Sequence, residues 1–150
     1  MEHFPKVLTR AESDAFVDRI MAGMTERGWG LWAVELTATG AFCGFVGLNP
    51  VSFDAPFTPA VEIEWRLARS YWGQVIATEA AAVALSYAFE TLGLEEVVSF
   101  TSTTNLRSQR VMQKLGMHRD PADDFDHPGL PLGHHLRRPV LYRAVLASKD

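Results

Sequence analysis

The stretch that decides the fold reads RSYWGQVIATEAAAVAL, from Arg69 to Leu85. Gly73 marks a turn directly before an alanine-rich run that predicts a helix, which continues to about Leu92 and stops at Gly93. The first N–H groups of a helix are unpaired and lie at the positive end of its dipole, and glycine lets a ligand approach the backbone closely. The stretch therefore predicts either a phosphate-binding turn or an ordinary loop that enters a helix.

The segments on both sides of this junction predict interleaved helices and strands. On the amino-terminal side, TRAE at residues 9–12 fits a capping box for a helix that stops at Gly28, and GLWAVEL and FCGFVGL read as a hairpin. AVEIEWRLA, residues 60–68, alternates strictly and predicts a strand. On the carboxyl-terminal side come a strand in EEVVSFTS, a helix in NLRSQRVMQKL closed by Gly116, a brief strand around Met117 and a last strand in VLYRAVL. We predict one domain over residues 1–150 with a mixed α/β (α+β) sheet flanked by helices.

The composition limits the kinds of partner that this chain takes. The net charge is -4 and no basic block stands out, which disfavours nonspecific binding to nucleic acid or to an anionic membrane. Cys43 is the only cysteine, which excludes an internal disulfide and suits a reducing cytosol. The sequence shows no signal-peptide run and no membrane-spanning stretch. We therefore predict a soluble cytoplasmic protein.

Polar residues occupy part of an inward-facing stripe in the second predicted helix. Asn105 and Ser108 are three residues apart, and Met112 and Leu115 continue the same stripe. Asn105 fits either a helix cap or a ligand contact, whereas a cap does not explain Ser108, one turn further in.

These motifs together resemble the GNAT superfamily of acyl-CoA-dependent N-acetyltransferases, and within it the RimJ/RimL-like branch. VEIEWRLARSYWGQVIATEA is similar to the strand and pyrophosphate loop of that branch, usually W-G-x-G-x-A-[ST]-E-A. NLRSQRVMQKLGM is similar to its N-x-x-S helix, and VLYRA to its closing strand. The resemblance covers almost the whole chain and implies a mostly antiparallel sheet flanked by helices.

The resemblance implies acetyl-CoA as cosubstrate and no metal. Asn105 then contacts the pantetheine arm, and the Ser108 hydroxyl protonates the leaving thiolate. The pantetheine arm runs along the backbone of Trp65, Arg66 and Leu67. The pyrophosphate lies on the backbone N–H groups of Gly73, Gln74, Val75, Ile76, Ala77 and Thr78.

The implied acceptor is a neutral amine, either a small molecule or a protein amino terminus, which attacks the thioester directly. Glu62 is the first candidate for accepting its proton, directly or through water, and Glu64 is the second. Both also fit solvated carboxylates on an alternating strand.

A late loop contains histidines and carboxylates. His127, His134 and His135 share it with Asp123, Asp124 and Asp126, but their spacing matches no zinc template, so we predict no metal there. In the branch that this chain resembles, the loop flanks the acceptor pocket, which implies that His127 contacts the substrate.

The chain departs from the branch pattern at two places. The strand and partial helix that normally precede a segment such as MEHFP are missing, which leaves Leu31 to Leu36 as a sheet edge. We expect a partner chain in a homodimer, or the rearranged amino-terminal segment, to cover this edge. Val75 stands where the branch has glycine, although its place directly before a helix predicts a negative φ. We expect weakened but retained binding of acetyl-CoA, with Val75→Gly tightening it about three- to thirtyfold. The alternative is a degenerate GNAT module that binds acyl-CoA weakly or not at all and serves as a binding or assembly unit.

Overall fold

The computed structural model describes residues 8–128 and 138–146. Its helices and strands follow the predicted order, and 3-10 turns lie at Arg69–Tyr71 and Pro121–Asp123. The elements are α1 (Arg10–Arg27), β1 (Leu31–Glu35), β2 (Phe42–Pro50), β3 (Val61–Leu67), α2 (Ile76–Glu90), β4 (Glu96–Thr101), α3 (Leu106–Lys114), β5 (His118–Arg119) and β6 (Val140–Val145).

The strands form one six-stranded sheet in the order β1-β2-β3-β4-β6-β5. Every neighbouring pair is antiparallel except β3 and β4, which are parallel. The prediction of a mixed, mostly antiparallel sheet flanked by helices is confirmed.

Helix α1 begins and ends as its sequence predicts. The Glu12 N–H donates to Thr9 Oγ1 (3.1 Å) and the Thr9 N–H donates to Glu12 Oε2 (2.9 Å), which completes the capping box. The helix ends at Gly28, whose φ of 80° is a left-handed conformation that glycine adopts without strain.

Apolar side chains pack on both faces of the sheet. On one face, Ala81, Ala84 and Ala88 form a stripe along α2, and their small size lets the helix lie close to β2 and β3. This helix-side core also contains Ile63 and Met112. The opposite face carries a smaller cluster that is rich in phenylalanine, which we call the aromatic cluster: Phe53, Phe57, Phe100 and Phe125.

Strands β3 and β4 make contact over a short length only. The register between them is a single pair, Glu62 opposite Val98, whereas β3 pairs with β2 from Val61 to Leu67. Ser99 Oγ donates to the Ile63 carbonyl (3.1 Å), close to that pair. Among the described residues, no strand pairs with one backbone edge at the end of β3, and this opening positions the site.

Candidate active site

A cleft of about 380 Å³ lies where the end of β3 meets the start of α2 and the first turns of α3. Both strand-to-helix junctions that the sequence singled out contribute to it. Its walls include Trp65, Arg66, Leu67, Tyr71, Trp72, Gly73, Gln74, Val75, Ala77, Thr78, Asn105, Arg107, Ser108, Arg110, Val111 and Lys114.

The turn that enters α2 has the geometry of an anion-binding turn. Gly73 has a φ of 74°, which only glycine adopts readily, and an added Cβ there would meet nothing within 4 Å. The conformation, not lack of space, requires glycine. Val75 is the N-cap of α2 and no side chain caps the helix start. The first N–H groups of α2 have no intrahelical partner, and most residues of this turn line the cleft.

Val75 has a φ of -75° and a ψ of 0°, which confirms the predicted negative φ. Valine adopts this conformation without steric cost. Its side chain is 69% exposed. Valine in place of the glycine in the branch pattern therefore introduces no backbone strain.

The predicted cofactor-binding residues meet in this cleft with one exception. The three residues at the end of β3, Asn105 and most of the turn line it, whereas Ile76 does not. The assignment of individual cofactor contacts stays a prediction.

Asn105 caps α3. Its Oδ1 accepts a hydrogen bond from the Ser108 N–H (3.3 Å), and its Nδ2 donates to Thr101 Oγ1 (3.0 Å). An amide nitrogen has two donor hydrogens, so one remains for a ligand in the cleft. The cap is confirmed, and the contact with pantetheine stays a prediction.

Ser108 is joined to the strand across the cleft. Trp65 Nε1 donates to Ser108 Oγ (3.3 Å), a bond between residues 43 positions apart. Because the hydroxyl accepts this bond, its own proton remains available to another acceptor. The geometry leaves Ser108 able to donate a proton into the cleft.

The sequence prediction missed the basic residues of the cleft. Arg107, Arg110 and Lys114 come from α3, and the Arg107 guanidinium lies 4.7 Å from the ring centre of Trp72. Trp72 in turn donates from Nε1 to the Leu67 carbonyl (2.9 Å), which fixes the ring beside the end of β3. Arg107, Arg110 and Lys114 are spaced three and then four residues apart, which places them on one side of α3. This spacing is the feature of the sequence that could have indicated them.

Glu62 and Glu64 lie on the opposite face of β3 and do not line this cleft. Their side chains are hydrogen-bonded to each other, and Asn49 Nδ2 donates to Glu64 Oε1 (3.3 Å). Burial, and then the charge of Glu64, raise the pKa of Glu62 to about 10. Glu62 is half-buried and hydrogen-bonded to Glu64, and its role as the proton acceptor stays a prediction.

His127 packs against the aromatic cluster. Its ring centre lies 4.5 Å from that of Phe53 and 6.4 Å from that of Phe100. Burial lowers the pKa of His127, so the ring is neutral at pH 7. Val98, the partner of Glu62 across the strands, belongs to the same cluster. His127 and Glu62 thus share a face of the sheet, and the substrate contact of His127 stays a prediction.

Within residues 8–128 and 138–146, no three His, Cys, Asp or Glu side chains are grouped so as to hold a metal ion. His134 and His135 lie outside the described residues. Among the described helices, none is long and apolar enough to cross a membrane.

Comparison with known protein families shows the family to which this chain belongs. The model of the family described as "Acetyltransferase (GNAT) domain" matches residues 1–118. The chain belongs to the GNAT family. Its fold, a mostly antiparallel sheet flanked by helices, is the fold of that family.

Two curated proteins are similar to this GNAT chain over part of their length. The uncharacterized protein YkkB of Bacillus subtilis is 35% identical over 95 residues, which are 62% of this chain and 54% of that protein. The FsC-acetyl coenzyme A-N(2)-transacetylase of Aspergillus fumigatus is 38% identical over 97 residues, 60% of this chain and 39% of that protein. The chain thus spans about half the length of the first relative and less of the second.

Solved structures agree with the fold. An acetyltransferase of Agrobacterium tumefaciens is 28% identical, with a TM-score of 0.71 over 95% of this chain and 75% of that one. RimJ of Mycobacterium smegmatis, in complex with CoA-disulfide, matches at 20% identity with a TM-score of 0.70 over 90% of this chain and 61% of that one. At such identity the likeness shows the fold alone. Membership of the RimJ/RimL-like branch therefore stays a prediction.

Proposed function

We propose that this protein is an N-acetyltransferase that moves the acetyl group of acetyl-CoA to a primary amine, either a small molecule or a protein amino terminus. The observation that carries the proposal is the cleft, where the uncapped start of α2, the open edge of β3 and Ser108 face one space. Family membership supports acetyl transfer, and the Aspergillus relative is named for transfer to nitrogen.

The residues of the cleft fit the acetyl-CoA cosubstrate. A pyrophosphate needs several N–H donors and a positive potential, and both are present at the turn from Gly73 to Thr78. The pantetheine arm carries amide groups, and the open edge at Trp65 to Leu67 offers backbone partners for them. Because these partners are backbone groups, Val75 retains the N–H that glycine would supply.

Acetyl-CoA supplies an activated thioester carbonyl, to which the amine nitrogen forms a new C–N bond as the C–S bond breaks. Ser108 donates its hydroxyl proton to the departing sulfur and is reprotonated from solvent. Trp65 holds the Ser108 oxygen through its indole N–H and stabilises the charge left on that oxygen. The chain therefore supplies the proton donor from the cleft side.

The amine loses a proton on the opposite side of β3. The pair formed by Glu62 and Glu64 accepts this proton. Both carboxyls lie on the side of β3 away from the cleft, next to the gap between β3 and β4. Glu62, the first candidate, acts as a member of this pair and not as a lone carboxylate, because its raised pKa keeps it protonated at neutral pH. His127 lies on the same face, where we assign the acceptor.

The test has two parts, binding and turnover. Calorimetric titration and thermal unfolding measure acetyl-CoA binding, and thiol release is then screened over small amines and peptides. A ligand present at about 100 times its Kd adds about 2.7 kcal/mol and raises the Tm of a domain of this size by about 5 to 10 °C.

We expect a Tm increase in millimolar acetyl-CoA and thiol release with at least one class of amine. No Tm change and no heat of binding would overturn the cofactor site. Binding without thiol release for any acceptor would favour the degenerate module.

A further inference from the structure

Aromatic side chains border the gap between β3 and β4 on the face that carries the Glu62 and Glu64 pair. Glu62 is opposite Val98 in the register of these two strands, and Val98 packs in the aromatic cluster. Phe100 lies two residues further along β4, on the same face as Val98. The gap therefore has carboxyl groups on its β3 side and phenyl rings on its β4 side.

The phenyl rings of the aromatic cluster form one connected apolar surface. The Phe53 ring centre lies 5.7 Å from that of Phe100 and 6.0 Å from that of Phe125. The Phe57 ring centre lies 4.9 Å from that of Phe125. Phe125 is buried, whereas Phe53, Phe57 and Phe100 are half-buried, so part of this surface is exposed. An apolar group that covers the exposed part gains free energy because both surfaces leave water.

The side chains of this surface suit an apolar ligand and not a peptide backbone. The phenyl groups, Val98 and Leu141 contain no hydrogen-bonding group. His127 packs beside them, and burial lowers its pKa, so it adds no positive charge at pH 7. A peptide across this surface would place amide groups against phenyl rings without hydrogen-bond partners, which costs free energy.

The carboxyl pair supplies the negative charge that an ammonium group needs. Glu62 and Glu64 are hydrogen-bonded to each other, and the charge of Glu64 acts on Glu62. Arg66 is the next residue of β3 on this face, and its guanidinium lies 5.7 Å from the Phe16 ring centre and 5.4 Å from that of Phe45. Phe45 belongs to β2, which is on the opposite side of β3 from β4. The cation is therefore directed toward β2, and the carboxyls stand next to the aromatic cluster.

We propose that the amine acceptor is a small arylalkylamine, whose ammonium group binds the Glu62 and Glu64 pair and whose ring lies on the aromatic cluster. This assignment rests on the proposed function. Adjacent strands lie about 4.8 Å apart, and a chain of two carbon atoms between ring and nitrogen covers a similar distance. The ammonium group passes one proton to the pair before attack and releases another to solvent as the amide forms, while Ser108 protonates the sulfur. The amide product is uncharged, so it loses its attraction to the pair.

The experiment measures binding of three probes by isothermal titration to the protein saturated with CoA, with which none of them can react. The probes are phenethylamine, ethylamine and a tripeptide amide that begins with phenylalanine. Ethylamine has the same ammonium group and two-carbon chain without the ring. We expect phenethylamine to bind about ten- to a hundredfold more tightly than ethylamine, the effect of burying one phenyl group. The peptide should bind at least about tenfold more weakly than phenethylamine, and kcat/KM for thiol release from acetyl-CoA should follow the same order.

Phe53→Ala removes a ring that contacts the rest of the aromatic cluster. We expect the affinity ratio of phenethylamine to ethylamine to fall at least about fivefold, mainly by weaker binding of phenethylamine. Phe53→Leu keeps an apolar side chain and should give a smaller decrease, and the Tm of each variant shows whether it folds. The matched control is Phe42→Ala, at a phenylalanine of β2 that is 68% exposed and lies outside the cluster; it should keep the full ratio.

Glu64→Gln tests the ammonium site separately from the ring site. We expect both amines to bind about tenfold more weakly, with their ratio unchanged, because only the charged end of each probe loses a partner.

Equal affinities of phenethylamine and ethylamine, or a ratio that Phe53→Ala and Phe53→Leu both retain, would overturn the arylalkylamine assignment and leave the proposed function intact. A peptide that binds as tightly as phenethylamine would also overturn it, in favour of a protein amino terminus. If CoA does not bind, the same titrations are made on the free protein. Selective binding of phenethylamine there would keep the amine site while the proposed function fails, and no selectivity would remove both.

Discussion

Ser108 takes part in two contacts that connect α3 to its surroundings. Its N–H donates to Oδ1 of Asn105, the residue that caps α3, and its hydroxyl oxygen accepts a hydrogen bond from the indole N–H of Trp65. Alanine at this position keeps the first contact and loses only the second. We expect Ser108→Ala to lower the rate of thiol release about a hundredfold, while the Kd for CoA changes less than about twofold.

Thiol release and calorimetry measure the two effects separately. Trp65→Phe is the companion variant, because it keeps the hydroxyl and removes its partner. We expect a smaller loss of rate, since Ser108 can still donate but is no longer held in place. Full activity of Ser108→Ala would remove this hydroxyl from the reaction.

Glu62 makes the stability of the protein depend on pH. Its pKa is about 10 in the folded protein and about 4.3 in an unfolded chain, so the folded state holds a proton that the unfolded state has lost between these values. The stabilisation is therefore complete below about pH 4.3 and decreases as the pH rises toward 10. The largest slope for one proton is about 1.4 kcal/mol per pH unit.

We expect Glu62→Gln, which resembles the protonated side chain, to lack this slope. Urea unfolding at pH 6, 7 and 8 should show the unmodified protein losing on the order of 1 kcal/mol per pH unit relative to the variant. Glu64→Gln removes the charge that helps raise the pKa of Glu62, so the pH-dependent loss of stability should end at a lower pH than in the unmodified protein. Parallel stability curves for the unmodified protein and Glu62→Gln would contradict the raised pKa.

At the scale of elements, the start of α2 is unusual because no side chain caps it. A capping side chain commonly contributes about 1 kcal/mol, and the N–H groups that it would occupy are those that we assign to the pyrophosphate. Val75 at the cap position leaves these groups available. The helix thus keeps a binding surface at the expense of a stabilising contact.

Val75→Gly tests whether the valine side chain hinders that surface. With φ at -75° the strain that glycine would relieve is absent, and the side chain is 69% exposed, so only clearance beside the phosphates remains. We therefore expect CoA to bind about threefold more tightly or less, the low end of the range that the sequence predicted. Val75→Ala, measured by the same titration, keeps the Cβ and separates side-chain volume from backbone flexibility. A gain of thirtyfold or more would show that binding requires a different backbone conformation at this turn.

Local patterns predicted the elements of this fold well, because each depended on residues close in sequence. The capping box at Thr9, the alternation of β3 and the glycine before α2 all act within one turn or one strand. The hydrogen bond between Trp65 and Ser108 joins residues 43 positions apart, so the local sequence pattern of neither element could predict it. The burial of Glu62 likewise depends on the packing around β3. The alternation of polar and apolar residues in the strand therefore could not predict its raised pKa. Arg107, Arg110 and Lys114 line the same cleft as the turn before α2 only because of how the two helices pack.

At the scale of the whole molecule, β1 is the outermost strand on its side of the described sheet. The Gly30 carbonyl accepts from the Leu48 N–H (3.0 Å) and the Leu36 N–H donates to the Ala41 carbonyl (2.9 Å), so residues of even number face β2. Backbone groups alternate along a strand, and the N–H of Ala33 therefore points to the open edge. Such an edge is a template for pairing with another strand.

We expect this edge to pair with a second copy of the chain in a homodimer, which light scattering coupled to size exclusion measures at about 10 to 100 μM. A symmetric pairing of β1 with its copy uses the same strand on both sides, which fits two-fold symmetry. Ala33→Pro removes the outward donor without removing a bond to β2, so it should shift the protein toward monomer while the fold is retained. Ala33→Ser, which keeps the N–H at the same exposed position, is the matched control and should remain dimeric. A monomer at every concentration, or a dimer that Ala33→Pro leaves intact, would show that β1 is not the interface, since only pairing through the edge requires that N–H.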